Sequence, residues 1–189
     1  MIVTVFGPPG AGKGTQAKFI SEKLDIVHLS TGDVLRDQLK NRSKLSLELQ
    51  EVIDSGQLVS DKILNQIVLK RISQKDCIKG FIFDGYPRTI FQAHFIEEYF
   101  FKNNLFFDYF IEIYLENKTI INRITSRFLT ESRADDSEKI ISTRIDEYNK
   151  ETRPVLEYYK KQYSSIYHIV NGDQEIDKIN SILLRILKK

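Results

Sequence analysis

The chain is short of the residues that cross-link proteins or bind soft metals. Cys77 is the only cysteine among 189 residues, so no internal disulfide and no cysteine-based zinc site can form, which suits a reducing compartment. The three histidines, His28, His94 and His168, belong to no motif and read as structural or surface residues without a catalytic role. No stretch approaches the roughly 18 uninterrupted apolar residues of a membrane span; the aromatic-rich region 95–115 comes closest, and Glu97, Glu98, Lys102 and Asp108 interrupt it. The N-terminus lacks a basic segment followed by an apolar run of signal-peptide length. Charge of one sign is scarce too. With 28 basic residues against 26 acidic ones the net charge is +2, too balanced to favour nucleic acid or an anionic membrane, so any basic site must be local. The expectation is a cytoplasmic protein with neither nucleic acid nor membrane as a partner.

What is there is an ordinary globular composition, 41% hydrophobic and 29% charged, in a chain long enough for one domain over residues 1–189. Short apolar, β-branched runs recur at Ile2–Phe6, Ile26–Leu29, Phe81–Phe83, Phe110–Leu115 and Ile166–Val170. Segments with helical spacing separate them: Lys13–Leu24, Val34–Leu39, Leu45–Ile53, Lys62–Ile72, Thr89–Phe101, Lys118–Phe128, Lys139–Tyr163 with a break near Pro154, and Glu175–Leu187. Strands alternating with helices imply right-handed crossovers, hence an α/β fold with a central five-stranded parallel sheet and helices on both faces. No repeat or low-complexity linker is visible; Gly56, Gly85 and Gly172 mark turns.

The stretch GPPGAGKGTQ, residues 7–16, lies directly behind the first predicted strand. Its Gly7-x-x-x-x-Gly12-Lys13 spacing is the phosphate-binding loop pattern, in the strand-to-helix context that its mechanism needs. Backbone NH groups of Gly10, Ala11, Gly12, Gly14 and Thr15 and the helix N-terminus would hold a polyphosphate, with Lys13 reaching its outer phosphates. The residue directly after the lysine is Gly14 rather than the usual hydroxyl, with Thr15 behind it. Asp84 closes an apolar run at the carboxyl edge of a predicted strand, where a carboxylate can hold magnesium, here expected through water; the Asp84-Gly85 pair also reads as a plain turn. A phosphate loop alone does not choose between a switch, a motor and a kinase. A guanine-reading Asn-Lys-x-Asp element, which a switch should show, is absent from the sequence.

Three further stretches choose. Ser30-Thr31-Gly32-Asp33-Val34-Leu35-Arg36, Gly56-Gln57-Leu58-Val59-Ser60-Asp61, and Asp84-Gly85-Tyr86-Pro87-Arg88-Thr89 with Gln92, taken with the loop, resemble the adenylate kinase family over essentially the whole length. The resemblance implies reversible phosphoryl transfer, ATP plus AMP giving two ADP, with magnesium, in a monomer. It implies an AMP-binding segment at 30–59 and a lid at about 123–135, of the short type that carries no zinc. Arg123, Arg127 and Arg133 would then belong to the lid or its edges, facing ATP and the transferring group, with Arg88, Arg133 and Arg144 holding the AMP phosphate and the transition state. Together with Lys13, the arginines 88, 123, 133 and 144 form the expected catalytic set. Arg36 would reach the AMP phosphate, and Thr31, Gln57, Leu58, Val59, Gly85, Tyr86, Pro87 and Gln92 would surround AMP. Gly172 and Gln174 would meet the donor adenine.

The chemistry is consistent with these residue types. Two bound polyanions repel, arginine forks grip phosphate oxygens in pairs, and an acceptor phosphate with second pKa near 6 needs no general base. Gln92 carries a donor and an acceptor on one amide, the complement of adenine's edge, which favours AMP over the pyrimidine acceptors of UMP/CMP-type kinases. A protein that binds nucleotide without turnover is the remaining alternative. Asp135 and Glu138 read first as a helix-capping pair; pairing of Asp135 and Asp136 with lid arginines is compatible with that.

Overall fold

The computed structural model describes residues 1–39, 50–52, 55, 57–116, 118–120, 122–123 and 138–187. In chain order they form β1 (Ile2–Phe6), α1 (Lys13–Leu24), β2 (Val27–Ser30), α2 (Thr31–Leu39), α3 (Asp61–Ile72), a 3-10 turn (Lys75–Lys79), β3 (Phe81–Asp84), α4 (Ile90–Lys102), β4 (Tyr109–Tyr114), α5 (Glu138–Glu147), a π-helical turn (Tyr148–Thr152), α6 (Arg153–Gln162), β5 (Tyr167–Asn171) and α7 (Ile176–Leu187). The five strands lie in the order β2-β3-β1-β4-β5 and every pairing is parallel, as the alternation of strand and helix patterns requires. Ile2 pairs with Phe81 and Val3 with Tyr109, so the first strand is the centre of the sheet. All five of its residues are buried, which is why four of them are apolar, with Thr4 the one exception, rather than every second one.

Successive side chains of each strand go to opposite faces, and each face has its own core. Val3, Val5, Ile82, Ile111, Ile113 and Val170 pack against Ala17 and Ile20 of α1 and Ile179, Leu183 and Leu187 of α7. The spacing of the α7 residues, four apart, is the stripe of an amphipathic helix. On the other face, Ile2, Phe81 and Phe83 meet Leu64, Val68 and Ile72 of α3 and Ile96 and Phe100 of α4. Phe6 and Phe110 meet Val155, Leu156 and Tyr159 of α6. The Phe110 and Tyr159 rings stack at 4.3 Å between centroids.

Element ends follow local chemistry. Thr89 caps α4, its hydroxyl accepting from Gln92 N at 3.1 Å. Pro154 sits in the first turn of α6, which continues directly from the helical turn before it. The break expected near that proline is a widened π turn just before it rather than an interruption, since a proline deprives the preceding turn of an acceptor-seeking NH. α2 starts at Thr31, directly behind β2 and three residues before the predicted start. Helical residues 50–52, 118–120 and 122–123 fall inside two predicted helices, the remainder of which lies outside the described residues. Among the described residues no helix is long and apolar enough to cross a membrane.

Ile111 is wholly buried at the middle of the sheet. Ile111→Ala is expected to lower the unfolding free energy by about 2–5 kcal/mol, read from urea denaturation; a loss below about 1 kcal/mol would show that this core layer collapses to fill the gap.

Candidate functional site

The parallel sheet delivers the carboxyl ends of all five strands to one edge, where open α/β folds gather ligands. There a cleft of about 840 Å³ opens, within the size range of small-molecule sites. Of the residues singled out from sequence, Gly10, Gly12, Lys13, Gly14 and Thr15 line it, with Thr31, Arg36, Gln57, Leu58 and Val59, then Asp84, Gly85, Pro87 and Arg88, and finally Arg123 and Arg144. Five of these are cationic. They come from α1, α2, the turn after β3, residue 123 and α5, so only the fold brings them together.

The loop after β1 is shaped by close approach. Gly7 has φ +147°, and a β-carbon there would lie 2.5 Å from the Ile113 carbonyl oxygen of the neighbouring strand, so no larger residue fits. Lys13 opens α1 and donates to the carbonyls of Gly7 and Pro8 at 2.9 and 2.8 Å. It thereby curls the loop around its own ammonium. Ala11, within the loop, is buried.

The turn after β3 carries the second group. Gly85 has φ +81°, and a β-carbon on it would come within 2.6 Å of Arg88 Nη2 and 2.9 Å of Thr31 Oγ1. The space that the glycine leaves is filled by a knot of polar contacts: Arg88 Nε donates to Gly85 O at 2.8 Å, and Thr31 Oγ1 donates to the same carbonyl at 3.0 Å. Burial lowers the pKa of Arg88, Asp84 opposes that, and Arg144 and Arg36 add to the lowering. A guanidinium remains charged throughout at any working pH. These shifts identify a half-buried cation with cationic neighbours, and such a group gains most from an incoming anion.

Asp84 meets His28, whose Nε2 lies 3.1 Å from its Oδ2, and both line the cleft. Asp84 Oδ2 lies 3.4 Å from where a Gly14 β-carbon would stand, so the missing side chain leaves room beside a hard oxygen donor. On α2, Arg36 is paired with Asp33, three residues earlier. Burial raises the Asp33 pKa, yet hydrogen bonds from Arg36 and Ser30 outweigh it and hold the carboxyl below its ordinary range. Arg123 Nη2 donates to Gly172 O at 2.8 Å and lies 3.7 Å from Asp173 Oδ1. Gln174 Nε2 donates to Asn171 O at 2.9 Å, so Arg123, Gly172 and Gln174 share one corner.

Two expected residues sit behind the wall of the cleft. Tyr86 is fully buried and donates to Asn65 Oδ1 at 2.7 Å; its burial, and the Asp61 charge after it, raise its pKa above the usual phenol range. Gln92 is 0% exposed, its Nε2 donating to Asp61 Oδ1 at 2.7 Å and its Oε1 accepting from Arg88 N at 2.7 Å. Arg127 and Arg133, most of the segment 123–135, the Asp135 cap and Asp136 lie outside the described residues. Lys18, His28, Asp33, Glu147, Tyr148 and Thr152 also line the cleft. Of these only the Asp33–Arg36 spacing could have been read from sequence; the His28–Asp84 contact spans 56 residues.

A model of the family described as "Adenylate kinase" matches residues 5–164. The chain is similar to the adenylate kinase of Methanocella arvoryzae, 38% identical over 216 positions that take in 100% of this chain and 99% of that protein. It is likewise similar to that of Fusobacterium nucleatum, 38% identical over 98% of this chain and 97% of the relative, and to that of Chelativorans sp., 40% identical over the full length of both.

The two glycines facing Arg88 and Asp84 differ both in backbone and in the space around them. Gly85→Ala should cost at least about 1–2 kcal/mol in chemical denaturation, through its left-handed backbone and the crowding of Arg88 and Thr31 together. Gly14→Ala, on a helical backbone with ordinary contact to Asp84, should leave stability within about 0.5 kcal/mol or raise it. Equal losses at both would contradict this account of the Gly85 turn.

Proposed function

The chain belongs to the adenylate kinase family and is a phosphotransferase, and on that premise we propose that it transfers the terminal phosphoryl group of ATP to AMP, reversibly, giving two ADP. The observation that carries the reading is the convergence of Lys13, Arg36, Arg88, Arg123 and Arg144 on one cleft directly behind a phosphate loop. Two polyanionic nucleotides placed end to end repel, by roughly 4 kcal/mol per pair of unit charges about 4 Å apart at an effective dielectric near 20, and the convergent cations offset that repulsion.

The loop NH groups from Gly10 to Thr15 and Lys13 hold the ATP phosphates, with Arg123, Gly172 and Gln174 at the donor base. Thr31, Arg36, Gln57, Leu58, Val59, Gly85, Pro87 and Arg88 receive AMP, and Arg88 and Arg144 span the transferring group, joined by Arg127 and Arg133 from the short lid. The Methanocella alignment runs 216 positions against the 189 residues here, so that relative carries residues that this chain lacks, in keeping with a short lid. An oxygen of the AMP phosphate attacks the γ-phosphorus as the bond to the β-phosphate bridging oxygen breaks. The attacking phosphate is already ionised near neutral pH, so no side chain has to take a proton. Gln92 selects the acceptor base through whichever amide hydrogen and lone pair its two protein partners leave unused, once a base displaces the side chains that cover it.

Asp84 fits magnesium. It is a hard oxygen ligand beside the space left by Gly14, and magnesium at phosphate sites takes one or two carboxylates and keeps much of its water. When bound, the ion neutralises charge on the donor phosphates. His28 holds the Asp84 carboxylate in place. The protein acts as a monomer in the cytoplasm, without zinc.

A coupled assay of ADP formation from ATP, with AMP, CMP, UMP or GMP as acceptor, tests the reading. AMP should be strongly preferred; a pyrimidine preference would make the chain a UMP/CMP-type kinase, and no turnover with any acceptor would leave only nucleotide binding. Lys13→Met and Arg88→Ala should each slow transfer by about 10³-fold, and near-normal turnover in Arg88→Ala would remove that residue from the site. Gln92→Ala should raise KM for AMP far more than KM for ATP.

A further inference from the structure

Asp61 opens α3 directly after the cleft-lining residues 57–59 and lies outside every role assigned above. Its Oδ1 accepts from Gln92 Nε2 at 2.7 Å and its Oδ2 accepts from Thr89 Oγ1 at 3.0 Å. The same Thr89 hydroxyl accepts from Gln92 N at 3.1 Å. On its other side, Gln92 Oε1 accepts from Arg88 N at 2.7 Å. The side-chain amide is thus held between a carboxylate, which can only accept, and a backbone NH, which can only donate. Reversing the amide would set carbonyl against carboxylate and NH₂ against NH, two repulsive contacts in a wholly buried place. Chemistry therefore fixes which end of Gln92 is donor and which is acceptor, and the carboxylate of Asp61 supplies half of that constraint.

Resting on the reading that Gln92 meets the acceptor base, we infer that Asp61 is a specificity-positioning residue, locking the Gln92 amide in the one orientation that accepts adenine and rejects hypoxanthine. Adenine offers an acceptor at N1 and a donor at its 6-amino group; hypoxanthine offers a donor at N1 and an acceptor at its 6-oxygen. The two edges are mirror images in hydrogen bonding and nearly identical in shape. A fixed amide distinguishes them, whereas an amide free to turn over serves both, so discrimination between AMP and IMP depends on the lock rather than on the glutamine alone. A buried polar group left unpaired by the wrong partner is what makes such rejection large.

The test is a coupled assay on the full chain with ATP and either AMP or IMP, comparing wild type with Asp61→Ala, Asp61→Ser, Asp61→Asn and Gln92→Ala. In Asp61→Ala the IMP-to-AMP ratio of kcat/KM should rise about tenfold or more. Asp61→Asn replaces an acceptor-only carboxylate by an amide that can itself turn to donate to a reversed Gln92, so its ratio should rise as well. KM for ATP should change little in every Asp61 variant. General loosening of the fold lowers activity on both acceptors together and does not move the ratio. Should Asp61→Ala melt below the assay temperature, Asp61→Ser takes its place, because serine suits a first helical turn yet is too short to reach Gln92. A ratio unmoved by loss of the carboxylate but moved by Gln92→Ala would overturn the role of Asp61. A ratio unmoved by Gln92→Ala would instead overturn the base-reading role of Gln92, and the inference with it.

Discussion

Cations of one sign do not gather in a partly buried cleft unless the backbone holds them there, and this constraint organises the molecule. Lys13, Arg36, Arg88, Arg123 and Arg144 face one volume, and each would be better solvated apart. What keeps them together is the sheet: five parallel strands place five loops at one edge, and the two apolar layers that fix the sheet in place supply the free energy to oppose the repulsion. The carboxylates beside these cations fit the same logic. Asp33, in the cleft, sits against Arg36, and Asp173, outside its lining, lies beside Arg123, each moderating a cation without neutralising the cleft as a whole.

Much of this is legible in the amino-acid sequence. The phosphate loop is readable because its requirement is local: a run of small residues between strand and helix, ending in lysine. The strand pattern is readable because a parallel sheet buried on both faces needs near-continuous apolar runs, and Ile2–Phe6 is one. Asp84 and Arg88 are readable because they stand at fixed offsets from a strand end.

What was not legible depends on pairings that the sequence separates. His28 belongs to no motif, yet stands against Asp84, 56 positions away. Asp61 reads as an ordinary first-turn acid of a helix, and its partner Gln92 lies 31 positions further on. Gln92 itself was expected to face a ligand, which its residue type suggests; that its amide is already engaged on both sides follows only from the packing of α3 against the turn after β3. The break near Pro154 was visible, but its form was not, because a proline signals a lost NH and leaves open how the preceding turn adjusts.

That adjustment governs how the two halves of one long helical stretch are phased. α5 carries Arg144 to the cleft, while α6 buries Val155, Leu156 and Tyr159 against the sheet. An α-helix advances about 100° per residue, so the single surplus residue accommodated in the wide turn at 148–152 sets the rotation between the Arg144 guanidinium in the cleft and the core beneath it. Aim at the ligand and anchorage in the interior are thus geared to each other by backbone count alone, and deleting one residue between the cleft-lining Tyr148 and Thr152 would spoil the aim without removing a side chain of the cleft.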